Sequence, residues 1–437
     1  MNDAFRRVLI IAYYFPPMGL SGVQRTVKFA KFLPKFGWKP TVLTVGPTGY
    51  FATDQSLLKE VEDAGVTIVR TDSLDANRLF RKKGVVKMPA EWIRKTMQFL
   101  GDTFFIPDTK IGWMKRAMKA ARELLRKERF DLVFATAPPQ TDFLIGEAIR
   151  KEFNIPLVLD YRDAWLDNPF KYFPTPIHRW FHARLEKRVV KASFRIVATH
   201  RRVKESLLKR YPFLGYHDVA IVSQGFDTED FSASQKPAVG GKMKIAHAGT
   251  FYAGRNPSTI LRALANIFSS QPQLRGRIEV SFIGNARKSD IKLAKKLGLH
   301  ESITFHGYLE HRECVKQLQS AHVLWFIMDD DCSSPGKLYE YFGSRKAILA
   351  SVINGYTQQL IDESGAAVCV NPRDVPAHEK AILGLFSLFE QKKLPSSPEE
   401  FVNRFNRVSL TGELAKQFES LMDYDKNAFV KIEEAAS

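Results

Sequence analysis

Val8-Leu9-Ile10-Ile11-Ala12-Tyr13-Tyr14-Phe15-Pro16-Pro17-Met18-Gly19-Leu20-Ser21-Gly22 is a short uncharged apolar run that stops at two prolines and a glycine. Residues Val8 to Tyr13 read as a strand buried on both faces, the kind found in parallel sheets, and the break that follows is a turn. A helix is expected from about Val23 to Phe36, closed by Gly37, then a second strand from Thr41 to Val45. The alternation continues through strand Leu132 to Ala135, helix Thr141 to Glu152, strand Leu157 to Leu159, helix Pro176 to Ala192 and strand Ile196 to Ala198. Alternation of this kind implies a parallel sheet wrapped by helices.

The pattern then restarts. Ser234 to Lys242, with Pro237, Gly240 and Gly241, is the best linker in the chain. Ile245 to Ala248 opens a second series, with strands at Val280 to Ile283, Ile303 to Phe305, Val323 to Ile327, Ala347 to Leu349 and Val368 to Val370. The expected fold class is α/β, two Rossmann-like domains facing each other with a ligand cleft at the carboxyl ends of their sheets. The domains run 1–233 and 243–437 around a linker at 234–242, and the last helix is expected to pack back on the first domain.

A length of 437 residues, 45% of them hydrophobic, suits two cores and excludes wholesale disorder. No apolar run of about 18 residues suggests a membrane span, and no small-residue cleavage site suggests a signal peptide. Cys314, Cys332 and Cys369 have neither metal-ligand spacing nor an even count, so a cytoplasmic location is expected. The net charge of +18 is unevenly spread. From Met1 to Gly225, 39 Lys and Arg stand against 22 Asp and Glu, an excess of 17. From Phe226 to Ser437 the counts are 26 and 25. The basic half is suited to polyanions: nucleic acid, anionic lipid or phosphorylated substrate.

Three loops after strands carry candidate chemistry. Gly19 and Gly22 let backbone amides approach an anion at a helix start, with Arg25 one turn in, although their spacing is not that of a dinucleotide fingerprint. In Ala248 to Pro257, Gly249 and Thr250 offer close backbone approach, and Arg255 a bidentate contact to a diphosphate. In Ser333 to Tyr341, Gly336 and Lys337 offer amides and a cation at a helix start, with Glu340 on the same face. Each has a plainer reading: an ordinary turn, a solvated Arg, a Lys–Glu surface pair. His247, inside its strand, is read as core.

Together these segments resemble the GT-B glycosyltransferases, specifically the retaining group called family 4. The resemblance rests on Tyr14-Phe15-Pro16-Pro17 with Gly19, Gly22 and Arg25, on Asp160-Tyr161-Arg162-Asp163-Ala164-Trp165, on Gln224-Gly225-Phe226-Asp227 with Phe231, and on Gly336-Lys337-Leu338-Tyr339-Glu340-Tyr341. It implies a nucleoside diphosphate sugar in the C-terminal domain, with Glu340 on the ribose hydroxyls and Arg255 and Lys337 on the diphosphate. Amides near Gly19 to Gly22 would close over the donor, and Arg162 and Asp163 would face the acceptor. No metal and no other cofactor is implied, because cations and helix dipoles stabilise the leaving group. The family's usual Glu, eight positions before the ribose-binding one, is replaced by Cys332, leaving Asp329, Asp330 or Asp331 as substitutes.

The acceptor half rests on Arg78 to Arg129, where Arg81-Lys82-Lys83, Arg94-Lys95 and Lys115-Arg116 interleave with Phe80, Trp92, Phe99, Phe104-Phe105 and Trp113. Such a mixture suits a helix lying on anionic lipid, or a helix with one core face. The expected function is transfer of a sugar to a glycan or lipid-linked acceptor in cell-surface polysaccharide synthesis, peripherally on the inner face of the membrane. Two alternatives stand beside it: a nucleotide-sugar epimerase of the same fold, and a basic protein binding membrane or nucleic acid without transferase activity. No nucleic-acid module is visible.

Overall fold

The computed structural model describes residues 5–19, 21–46, 53–75, 91–231, 241–251, 255–330 and 335–436, without the side chains of 21, 91–92, 94–95 and 423–436. The apolar runs form two parallel sheets. Strands β1 (Arg6–Ile11), β2 (Trp38–Val45), β3 (Thr67–Thr71), β4 (Leu132–Ala137), β5 (Leu157–Tyr161), β6 (Arg195–Ala198) and β7 (Val219–Ile221) make the first, in the order β3-β2-β1-β4-β5-β6-β7. Strands β8 (Met243–Ala248), β9 (Ile278–Ile283), β10 (Ile303–Gly307), β11 (Val323–Met328), β12 (Ala347–Val352) and β13 (Ala367–Val370) make the second, in the order β10-β9-β8-β11-β12-β13. In each sheet the order reverses beside its first strand, at β1/β4 and at β8/β11. Doubly wound sheets bind ligands at such points.

The uncharged run from Val8 in β1 has a direct cause. Leu9 and Ile11, with Tyr13 beyond them, enter one core with Trp113 and Phe143, whereas Val8, Ile10 and Ala12 enter another with Phe29 and Phe418. Side chains alternate across a strand, so a sheet covered on both faces leaves no solvent-facing position, and a polar group there needs a buried partner. The helix Ser21–Phe32 passes into a 3-10 turn, Leu33–Phe36, and ends at Gly37 with φ of 76°. That left-handed conformation favours glycine.

The first compact unit takes in Met1–Gln224 and the final helix Arg407–Ala436, whose Phe418 packs edge-on to Phe134 and Trp38. The second takes in Gly225–Asp331 and Pro335–Asn406. The linker expected at 234–242 lies mostly outside the described residues. Phe226 belongs to the second unit: its N–H donates to Phe405 O at 3.0 Å, and its ring packs against Phe231 in the second core.

Candidate functional site

In the second unit, β8 and β11 are hydrogen-bonded neighbours, with Val323 opposite Ile245, so the loops at their carboxyl ends lie side by side. Gly249 follows β8 directly, its N–H donating to Ile283 O at 2.8 Å. A Cβ on Gly249 would come 3.2 Å from His247 Nε2, so only a bare backbone passes over the imidazole without displacing it. His247 Nδ1 is 2.8 Å from Trp325 O, and its ring stacks on Phe251 at 4.8 Å. Burial first, then the nearby Arg255 charge, push its pKa down to about 4, so the ring stays neutral. It is a core residue with its edge toward the loop.

Arg255 reaches across to the end of β11. Its Nε lies 3.3 Å from Asp329 Oδ1, and its Nη2 donates to Asp330 Oδ2. The guanidinium is buried and held by two carboxylates rather than standing free for an anion. Thr250 is half-buried in the same loop. Tyr252 to Gly254 and Asp331 to Ser334, Cys332 among them, lie outside the described residues.

The helix Gly336–Ser344 begins over this corner. Its Tyr341 hydroxyl accepts from Ala248 N–H at 2.7 Å and donates to Trp325 O at 3.4 Å, tying the helix to both strands. One turn earlier, Lys337 Nζ sits 2.7 Å from Glu340 Oε2 and 3.9 Å from Cys314 Sγ. Burial opposes the ammonium charge, but Cys314 and Glu340 together hold the Lys337 pKa above its usual value. The other Glu340 oxygen, Oε1, is buried and has no hydrogen-bond partner among the described residues. A buried carboxylate oxygen left unpaired is costly, and a hydroxyl donor would satisfy it. Among the described residues, nothing lies within 4 Å of a Cβ built on Gly336, so they leave the helix start open. Arg255, Lys337, Glu340, Gly249, Thr250 and Gly336 thus gather at one end of one sheet.

The first unit corrects two expectations. Arg25 does not face an anion at the loop Gly19 to Gly22. It is 1% exposed, pairs with Asp160 at 2.8 Å, and donates to the Val222 and Ser223 carbonyls. The cause lies in β5, where Asp160 points into the same core and also accepts from Thr136 Oγ1 at 2.7 Å. Arg162 likewise does not present a phosphate grip: it is buried and donates to the carbonyls of Gly22 and Pro138. It holds the glycine loop against the end of β4, while Asp163 beside it is half-buried. Gly19 is buried, and a Cβ on Gly22 would be 3.7 Å from Arg162 Nη1, an ordinary contact. Sequence reading missed the carboxylates that occupy Arg25 and Arg255. An Arg in a mostly apolar segment with an Asp at another strand end was the available signal.

Two family models match in succession: Glycosyltransferase Family 4 over residues 20–230 and Glycosyl transferases group 1 over residues 229–418. Together they span nearly the whole chain and fall on its two doubly wound sheets. The chain is a GT-B, family 4-like glycosyltransferase.

Solved structures of the same fold include sucrose-phosphate synthase from Thermosynechococcus elongatus, at 13% identity and TM-score 0.63, covering 96% of this chain and 100% of that one. HepE of Anabaena, in complex with UDP and glucose, matches at 14% identity and TM-score 0.64, covering 95% and 100%. The apo lipopolysaccharide outer core galactosyltransferase WaaB matches at 12% and TM-score 0.55, covering 95% and 99%. No curated protein matches the sequence. At these identities the likeness establishes the fold of this glycosyltransferase. Among the described residues, no group of three His, Cys, Asp or Glu gathers as a metal site would, and no helix is long and apolar enough to cross a membrane.

Proposed function

We propose that this glycosyltransferase moves a sugar, with retention, from a nucleoside diphosphate sugar to a glycan or lipid-linked acceptor. The setting is synthesis of cell-surface polysaccharide, with the protein peripheral on the inner, cytoplasmic face of an anionic membrane. The observation that carries the donor reading is Glu340 Oε1, buried beside Lys337 at the helix start and without a partner among the described residues. A ribose presents two adjacent hydroxyls, and a carboxylate with one free and one ion-paired oxygen accepts both. The names of two relatives point the same way: HepE is seen with UDP and glucose, and WaaB acts on lipopolysaccharide.

In this reading the acceptor hydroxyl oxygen bonds to the anomeric carbon as the bond from that carbon to the diphosphate oxygen breaks. The leaving phosphate, departing from the same face, takes the hydroxyl proton. What the protein supplies is positive charge where negative charge develops: Lys337, the amides at Gly336, and Arg255 once it turns from Asp330. No resident metal is assigned a role.

A thermal-shift screen of nucleoside diphosphates tests the donor site, followed by donor turnover in Glu340→Ala and Lys337→Ala. Stabilisation by at least one nucleotide and loss of turnover in both variants are expected. No stabilisation by any of them defeats the assignment. Sugar interconversion without an acceptor would favour an epimerase.

A further inference from the structure

Exposed large apolar side chains concentrate on one corner of the first unit, where two segments distant in sequence meet. The helix Glu91–Phe104 carries Leu100 and Phe104 outward, and the helix Pro176–Ala192 carries Ile177, Trp180 and Phe181. Phe104, Ile177 and Trp180 are 73%, 65% and 54% exposed. The segments touch: Gln98 Nε2 donates to Phe170 O at 2.6 Å, the Phe99 and Tyr172 rings lie 5.3 Å apart, and His178 Nε2 is 3.1 Å from Thr103 O.

The second helix is fixed by its own sequence. Thr175 caps it, accepting from His178 N–H at 3.4 Å, and Pro176 occupies its first turn. With that start set, His182, Glu186, Val189 and Val190 face the core. Ile177, Trp180 and Phe181 recur at i, i+3 and i+4 on the opposite face, and Arg184, Arg188 and Lys191 continue the same stripe. All six are exposed, as is Lys187 on its flank. The helix has one acid, Glu186, and it is buried. The outer face therefore grades from apolar to cationic with no exposed carboxylate.

We propose that this corner docks on the headgroup region of an anionic bilayer, with Ile177, Trp180, Phe181 and Phe104 entering the interface and Arg184, Lys187 and Lys191 meeting lipid phosphates. It rests on the peripheral-membrane part of the proposed function and gives that part a specific surface. Charge complementarity selects the occupant. Arg188 on the stripe is paired with Glu147 at 2.8 Å, but Arg184, Lys187 and Lys191 have no carboxylate partner among the described residues. Aromatics beside such cations suit anionic lipid, whereas the centres of protein–protein interfaces are depleted in lysine. Arg184 lies over the Trp180 ring at 5.6 Å, joining the two kinds of group in one contact.

The test is co-sedimentation of the full chain with vesicles of phosphatidylcholine alone or mixed equally with phosphatidylglycerol, across a salt series. Binding to the anionic vesicles that weakens with salt is expected. Ile177→Ser/Trp180→Ser/Phe181→Ser and, separately, Arg184→Glu/Lys187→Glu should each reduce it at least about tenfold. Because these positions are exposed, thermal melting should match the parent. Acceptor-independent hydrolysis of a nucleotide sugar, measured alongside, should be unchanged in both variants. If hydrolysis is absent throughout, the donor reading fails while the vesicle result still decides the docking face. Parent-like vesicle binding by both variants overturns the proposal. So does an absence of vesicle binding accompanied by a dimer that the serine variant dissolves.

Discussion

Lys337 and Glu340 lie one turn apart on the helix Gly336–Ser344 and meet at 2.7 Å, which leaves Glu340 Oε1 buried without a partner among the described residues. The pair is an internal counter-charge and an unfilled acceptor at once. Replacing Glu340 by Ala removes charge-assisted bonds worth about 1.5–3 kcal/mol, so nucleoside diphosphate affinity should fall roughly ten- to a hundredfold. Glu340→Gln retains an acceptor oxygen and should lose less. Calorimetric titration measures both, and an unchanged dissociation constant in Glu340→Ala would place the ribose elsewhere.

Arg255 is held by Asp329 and Asp330. For it to serve a diphosphate, the phosphate must compete with carboxylates already in place. Asp330→Asn removes one competing charge at nearly constant volume and should tighten nucleoside diphosphate binding about three- to tenfold, most clearly at low salt. Weaker binding instead would mean that Asp330 positions Arg255 for the ligand.

Most of the architecture was legible because sheets covered on both faces demand uninterrupted apolar strands. The run from Val8 to Tyr13 and the restart at Ile245 to Ala248 are such strands, and both proved central. The strands that escaped notice, β3 and β7, stand at the two edges of the first sheet. β3 has no buried residue and β7 has three residues, so neither carries a long apolar signal. The site was legible in residue type but not in pairing. Arg25, Arg162 and Arg255 all sit at loops suited to anions, yet each is occupied by Asp160, by backbone carbonyls, or by Asp329 and Asp330. Sequence spacing gives no measure of which distant carboxylate a strand end will deliver. The exposed face of the helix Pro176–Ala192 escaped for a related reason: which side of an amphipathic helix meets solvent depends on its partners.

Glu186 makes stability depend on pH. Burial raises its carboxyl pKa from 4.5 to about 7, opposed by Arg210 at 3.2 Å and by the hydroxyl of Tyr211 at 2.7 Å. The folded chain therefore holds a proton that the unfolded chain has released, so stability falls as pH rises from about 4.5 through 7. At about 1.4 kcal/mol per tenfold displacement, this contribution is at most ~3.5 kcal/mol. Buried neutral histidines act oppositely: His247 and His182, with pKa values pushed down to about 4 and about 3, cost stability as pH drops below 6.5. The difference between parent and Glu186→Gln isolates the carboxyl. Urea midpoints at pH 5 should be similar for the two, and at pH 8.5 the variant should be the more stable. Parallel pH profiles would show that Glu186 does not titrate in this range.

The Arg25–Asp160 pair separates structure from chemistry in the first unit. The two side chains are 1% and 0% exposed, and Arg25 adds bonds to the Val222 and Ser223 carbonyls and lies 4.6 Å over the Phe29 ring. Removing one member strands a buried charge, so Arg25→Met should cost about 3–5 kcal/mol in unfolding free energy. Arg25→Met/Asp160→Leu removes both charges and should recover much of that loss, although Thr136 and two carbonyls then lose partners. Because Arg25 holds the helix Ser21–Phe32 rather than a ligand, nucleoside diphosphate affinity in the folded single variant should stay within about threefold of the parent. Denaturation and titration of the same samples give both numbers. A parent-like melting curve with a tenfold or greater loss of nucleotide affinity would return Arg25 to the donor site.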